Sequence, residues 1–224
     1  MNQGFDLQID STDLPRFIAV EGPIGVGKTT LARNLATTLG YNTLLEKADE
    51  NPFLERFYAN PRSAALSTQL FFLFQRAQQI QDLRQTDLFQ SCHVADFLMD
   101  KDQLFAAVTL DEDELQIYRQ VYERLTIDAP QPDLVIYLQA PNDTLFERIQ
   151  SRGVPSERNI NSQYLTALNN AYMEFFHFYD KAPLLIVNAT ELDLASNPEH
   201  YRQLVDYMQT IKSGRHYYNP TPTL

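Results

Sequence analysis

Cysteine is almost missing from this chain. Cys92 is the only one in 224 residues, so no disulfide can form within the chain, and a reducing cytoplasmic location is the expectation. Cations are also scarce, 18 Lys plus Arg against 29 Asp plus Glu for a net charge of −11. That balance argues against general affinity for nucleic acid or for an anionic membrane surface. Long apolar runs are lacking: 70–74 and 184–187 are far too short to span a bilayer. The opening Met1-Asn2-Gln3-Gly4-Phe5-Asp6 has no basic start with an apolar stretch behind it, so no secretory signal is expected. Internal repeats and low-complexity linkers are absent too. What remains is 44% hydrophobic and 21% charged, an ordinary globular composition long enough for one α/β domain with a substantial core. The expectation is a single domain over 1–224, with an extension at 1–15 and a surface or mobile tail at 213–224 that carries Gly214, Pro220 and Pro222.

The most informative stretch is Gly22-Pro23-Ile24-Gly25-Val26-Gly27-Lys28-Thr29-Thr30. It fits G-x-x-x-x-G-K-[ST] between an apolar strand, Phe17 to Glu21, and a helix expected from Lys28 to Leu39. Glycines let successive N–H groups turn toward phosphate oxygens, and the positive end of the helix dipole adds to the attraction. Lys28 is then placed for the outer phosphates and Thr29 for Mg²⁺. A plain glycine turn would require neither the Lys-Thr pair nor the fixed gap.

Thr43 to Glu46, Leu134 to Leu138, Leu184 to Val187 and His93 to Asp96 read as further strands. Helical patterns between them favour a parallel five-stranded sheet flanked by helices. A helix is expected from Ser63 to Arg84, with Leu66, Leu70, Phe71, Phe74 and Ala77 toward a core and Gln69, Phe72, Arg76 and Gln79 on another face. That second stripe suits the edge of a base, and it equally suits a solvated helix face. Asp111 to Ile127 and the aromatic-rich Asn161 to Lys181 are expected as two more helices.

Glu46 ends the second strand, on the side where open α/β sheets collect ligands, and is placed to accept a proton from an attacking hydroxyl. A surface acid at a strand end would look the same. Asp96 ends the His93 segment and is a candidate for Mg²⁺ through water. Arg148 and Arg152 lie four apart, which puts them on one helix face suited to a phosphoryl group, or to exposed pairs with Glu147 and Glu157. The Gly153-Val154-Pro155-Ser156 break suggests a short lid at 148–160.

Together these segments resemble the deoxyribonucleoside kinase family, in particular its bacterial purine deoxynucleoside kinases. The likeness rests on the phosphate loop, on Leu45-Glu46 followed by Asn51-Pro52-Phe53-Leu54 and Phe57-Tyr58, on Gln69 with Arg76, and on Arg148-Ile149 with Arg152-Gly153. It implies a phosphate-loop kinase fold with an arginine-bearing lid, ATP and Mg²⁺, and transfer of the γ-phosphoryl to a deoxynucleoside 5′-hydroxyl, with a purine favoured. By this likeness Lys28, Glu46, Arg148 and Arg152 are catalytic, with Glu46 as base. Gln69, Arg76 and Asp102 face the nucleobase, Phe105 packs on it, and Tyr58 and Glu157 hold the sugar. Thr29 and Asp96 hold the metal, and a homodimer is expected.

Two departures stand out. Asp96-Phe97-Leu98 keeps the acid of the family's acid–Arg–Ser triplet and lacks its arginine, and Val154 stands where many members place a third lid arginine. Two other readings stay open: a nucleoside monophosphate kinase such as a thymidylate kinase, and a nucleotide-binding module without catalysis. The Asn-Lys-x-Asp run by which switch GTPases read guanine does not occur.

Overall fold

The structure is a computed structural model that describes residues 14–85, 92–126, 129–194 and 196–219. Six parallel strands form one sheet: β1 (Phe17–Glu21), β2 (Asn42–Leu44), β3 (His93–Ala95), β4 (Leu134–Gln139), β5 (Leu184–Asn188) and β6 (Arg215–Tyr218). Their order is β2-β3-β1-β4-β5-β6. The chain leaves β1 with a neighbour on either side, β3 and β4, so the loop after it opens into the crevice where the winding reverses.

Eight helices accompany the strands among the described residues: α1 (Lys28–Leu39), α2 (Leu54–Ala59), α3 (Ala65–Gln85), α4 (Lys101–Thr109), α5 (Glu112–Leu125), α6 (Asn142–Arg152), α7 (Ser162–Phe178) and α8 (Pro198–Gln209). Local chemistry sets several ends. Asp111 and Glu114 form a reciprocal capping box on α5, and the Asn197 side chain caps α8 ahead of Pro198. A left-handed Gly153 stops α6. Strand residues such as Ile18, Val20, Ile136 and Leu185 are wholly buried between helical layers.

Several expectations change. The sheet has a sixth strand, because Arg215–Tyr218, expected as part of a tail, pairs in parallel with β5. The second strand ends at Leu44 rather than Glu46: the Glu46 N–H leaves the ladder and donates to Asp96 Oδ1 at 2.7 Å. On α3, Phe74 is 53% exposed and Leu73 is buried in its place, packed with Ile80 and flanked by Leu66 and Leu70. Conversely Gln69 and Arg76 are both only 4% exposed, so their stripe faces inward. Residue 127, most of the 1–15 extension and 220–224 lie outside the described residues.

Candidate active site

The phosphate loop bends because its glycines accept what other residues cannot. A Cβ on Gly22 would meet the Leu138 carbonyl oxygen at 2.5 Å, and Gly27, with φ +105°, caps α1 in the left-handed region. Thr30 and the loop residues Gly25, Val26 and Gly27 line a cavity of about 370 Å³ together with Arg148 and the segment after β5, Ala189 to Leu194. Pro23 and Ile24 complete the bend, and Lys28 Nζ donates to the carbonyls of Gly22 at 2.8 Å and Pro23 at 3.1 Å. Burial lowers the Lys28 pKa to about 8, Lys101 pushes the same way, and Glu21, Glu46 and Asp96 offset part of the shift.

A connected set of charges runs from this loop across the sheet. The Thr29 hydroxyl donates to Asp96 Oδ2, and Asp96 Oδ1 accepts the Glu46 N–H. Arg76 Nη2 donates to Glu46 Oε1 and Nη1 to Asp102 Oδ1. Lys101 Nζ donates to Glu46 Oε2 at 2.9 Å. The register that pairs Leu44 with Ala95 explains the meeting, since Glu46 and Asp96 then leave neighbouring strands side by side. Burial works to raise the Glu46 pKa, but Arg76 and Lys101 outweigh it and hold the carboxyl down at about 2. Asp102 shows the opposite balance: burial wins over Arg76 and Lys101 and its pKa is pushed up to about 6. Asp102 Oδ2 and Arg76 Nε are buried with no hydrogen-bond partner, which leaves one acceptor and one donor in the cluster uncommitted.

The remaining expected residues divide. Tyr58 packs against Tyr164 with ring centroids 6.3 Å apart. Its hydroxyl pKa is held well above the ordinary value, first by burial and then by Tyr164, Glu157 and Glu46, so Tyr58, Glu157 and Glu46 share one electrostatic neighbourhood. Phe105 sits edge-on to Tyr172 at 6.0 Å and 5.7 Å from the Lys101 ammonium. The two arginines expected on a lid do not share a target. Arg152 Nε donates to Glu157 Oε2 at 2.7 Å, while Arg148 Nη2 donates to the carbonyls of Ala189 at 2.9 Å and Thr190 at 3.2 Å. Gln79, expected on the same stripe as Gln69 and Arg76, donates to the Leu45 carbonyl at 2.9 Å and so braces the residue before Glu46.

Sequence reasoning missed four contributors. Glu21, fully buried at the end of β1, accepts N–H groups from Gly22 and Leu98 at 2.9 and 2.8 Å and the Tyr172 hydroxyl at 2.9 Å. A carboxylate closing an otherwise apolar strand was the available signal. Lys101 opens α4, a helix that was not among the expected elements, and nothing around it in the sequence hints at burial. Asn51 is 5% exposed and ties its turn to α3 through the Thr68 carbonyl at 3.2 Å, which accounts for an asparagine in that motif. The fourth, Ala189 to Leu194, has no chemical signature of its own.

Thr29 and Asp96 offer two hard oxygen donors in contact. No group of three or more His, Cys, Asp or Glu placed for a metal occurs among the described residues, and Mg²⁺ commonly takes one or two protein ligands and completes its shell with phosphate and water. The donor set fits such an ion.

A parallel sheet with this strand order, a phosphate loop at its central strand and an arginine-bearing helix beside that loop define a phosphate-loop phosphotransferase. The comparisons narrow this. A family model described as deoxynucleoside kinase matches residues 18–212. A deoxyguanosine kinase of Bacillus subtilis is 34% identical over 200 residues, covering 87% of this chain and 97% of the relative. A deoxyadenosine/deoxycytidine kinase of the same organism is 27% identical over 206 residues, covering 87% and 92%. The solved deoxyadenosine kinase of M. mycoides with bound dATP superposes with a TM-score of 0.73 at 27% identity, covering 85% of this chain and 98% of that one. The chain belongs to the deoxynucleoside kinase family, and it is a kinase of that class. Among the described residues no helix is long and apolar enough to cross a membrane.

Proposed function

We propose that this protein transfers the γ-phosphoryl of ATP to the 5′-hydroxyl of a purine deoxynucleoside. The observation that carries this reading is the unbroken chain Thr29–Asp96–Glu46–Arg76–Asp102. It links the loop that suits a polyphosphate to a buried Arg–Asp pair with a spare donor and a spare acceptor, suited to the edge of a base. The relationship to deoxyguanosine and deoxyadenosine kinases supports a purine.

In this reading the acceptor lies between Gln69, Arg76 and Asp102 on one side and Phe105 on the other, with its sugar toward Tyr58 and Glu157. Glu46 takes the proton of the 5′-hydroxyl as that oxygen bonds to the γ-phosphorus, and the bond to the bridging oxygen breaks to release ADP. A carboxyl held near pKa 2 is a weak base. The loose transition state of phosphoryl transfer asks chiefly for an oriented hydroxyl and stabilised charge. Lys28 turns from its loop carbonyls to the outer phosphates, and Arg152 closes on the transferring group. Arg148, expected to share that task, is better placed against the donor, since it lines the cavity with Gly25 and Gly27. Mg²⁺ held by Thr29 and Asp96 would neutralise charge on the donor phosphates.

The deciding assay offers the four deoxynucleosides and their monophosphates with Mg·ATP. Transfer to deoxyguanosine or deoxyadenosine is expected; transfer to monophosphates alone would put a nucleoside monophosphate kinase in its place, and ATP binding without any transfer a binding module.

The Asp102 shift gives a pH dependence. The carboxylate that accepts from the base is lost as pH falls through about 6, so kcat/KM for the acceptor should fall roughly tenfold per pH unit below that value while KM for ATP stays flat. This is not unfolding: a carboxyl whose pKa is higher in the folded state, about 6 against 3.8, makes the fold more stable as pH drops between those values. Asp102→Asn should abolish this limb; a limb that persists there belongs to another group.

The homodimer finds support in α7, where Met173 is 47% and Phe178 74% exposed. Light scattering should give twice the 25.8 kDa chain mass, and Phe178→Asp should shift it toward the monomer. A monomeric wild type at micromolar concentration would refute the dimer.

A further inference from the structure

Phe97 follows Asp96 where the family pattern places an arginine, and it does not leave its position charged: it is 2% exposed, in a core cluster with Leu73 and Tyr118. The cation at Glu46 comes from elsewhere. Lys101, the first residue of α4, brings its ammonium to Glu46 Oε2 at 2.9 Å and to Glu21 Oε2 at 3.7 Å, with its side chain 2% exposed. Glu21 is itself anchored on the Gly22 N–H at the start of the phosphate loop. Lys101 thus bridges the carboxylate beside the acceptor and the carboxylate beside the donor loop. Arg76, the other cation on Glu46, is shared with Asp102, whereas Lys101 pairs with Glu46 and Glu21.

We propose that Lys101 is a positioning residue for phosphoryl transfer: it grips Glu46 Oε2, so that Oε1 meets the acceptor hydroxyl once Arg76 turns to the base, and it supplies the charge that the missing arginine would have supplied. This rests on the reading of the protein as a deoxynucleoside kinase. Glu46 would otherwise be free to rotate about its last bonds, and a freely turning carboxylate loses the near-attack geometry on which this chemistry depends. The phenyl ring of Phe105, against which the ammonium packs, keeps the lysine from swinging toward solvent.

The test measures wild type, Lys101→Met and Lys101→Arg with the best deoxynucleoside and Mg·ATP. Lys101→Met should lose roughly 10²-fold in kcat, the usual cost of one preorganised charged donor, with both KM values within about threefold. Lys101→Arg should recover most of the loss. A lysine that merely filled space would give a lower melting temperature and an unchanged kcat per folded molecule, and that result overturns the proposal. Wild-type protein speaks to it as well. The chain has five lysines, so ¹⁵N-lysine labelling resolves the buried ammonium of Lys101, whose signal should shift on saturation with deoxynucleoside alone; an unmoved signal overturns the proposal even if the methionine variant does not fold. A wild type that phosphorylates no deoxynucleoside defeats the functional reading and this inference with it. An active wild type with an equally active Lys101→Met defeats the inference alone.

Discussion

Glu46→Gln is expected to reduce kcat by roughly 10²-fold or more, the normal worth of a positioned general base, while ATP binds almost as before. The asymmetry follows from the site. The amide keeps the shape of the carboxylate and one acceptor for Arg76 or Lys101, and Asp96 holds the residue through its backbone N–H at 2.7 Å, which the substitution leaves intact. The phosphate loop is therefore undisturbed and the donor site stays whole. What is lost, in the proposed mechanism, is the anionic oxygen that orients the hydroxyl and takes its proton. Calorimetry with ATP and steady-state turnover, measured on the same preparation, check both halves. Turnover equal to wild type would remove Glu46 from its role.

Arg76→Met should be the most damaging single change to the fold. Arg76 ion-pairs with Glu46 and Asp102 with its side chain 5% exposed, and the Asp102 side chain is 1% exposed. Removing one partner of a buried pair strands the other, at a cost of about 3–5 kcal/mol, equivalent to roughly 10–15 °C in Tm for a chain of this size. The burial that already raises the Asp102 pKa would then act unopposed by the guanidinium, so the carboxyl should be neutral at pH 7. Arg76→Met/Asp102→Leu removes both charges and should regain most of that stability, because the desolvation cost of the carboxylate goes with it. Catalysis should not return: kcat/KM for the acceptor should remain down by roughly 10²-fold or more, as expected when a buried charged recognition pair is gone. Thermal melts and kinetics on the two variants thus separate what the pair does for the fold from the recognition role proposed for it. Restored activity in the double variant would show that the pair serves stability alone.

The polar stripe on α3 shows how far a sequence pattern goes. Spacings of three, four and three put Gln69, Phe72, Arg76 and Gln79 on one face of α3, and periodicity contains no more than that. Which face meets water depends on what packs against it, so Phe74 came out exposed and Arg76 buried. The same limit applies to the two arginines of α6. Spacing put Arg148 and Arg152 together, but their long side chains diverge to partners 41 and five residues away. The tail was misjudged for a related reason, since Arg215–Tyr218 is a strand only because β5 offers it an open edge.

The phosphate loop was decided by the sequence alone, because its geometry is made by contiguous backbone: glycines at the bend, a helix start behind it, and Lys28 and Thr29 at fixed offsets from both. The charge cluster was decided only by tertiary structure. Glu46 and Lys101 are 55 residues apart in the chain, and nothing local draws one to the other. They meet because β2 lies beside β3 and β3 beside β1, which brings three carboxylates to one edge of the sheet, and buried carboxylates require cations wherever the fold can supply them.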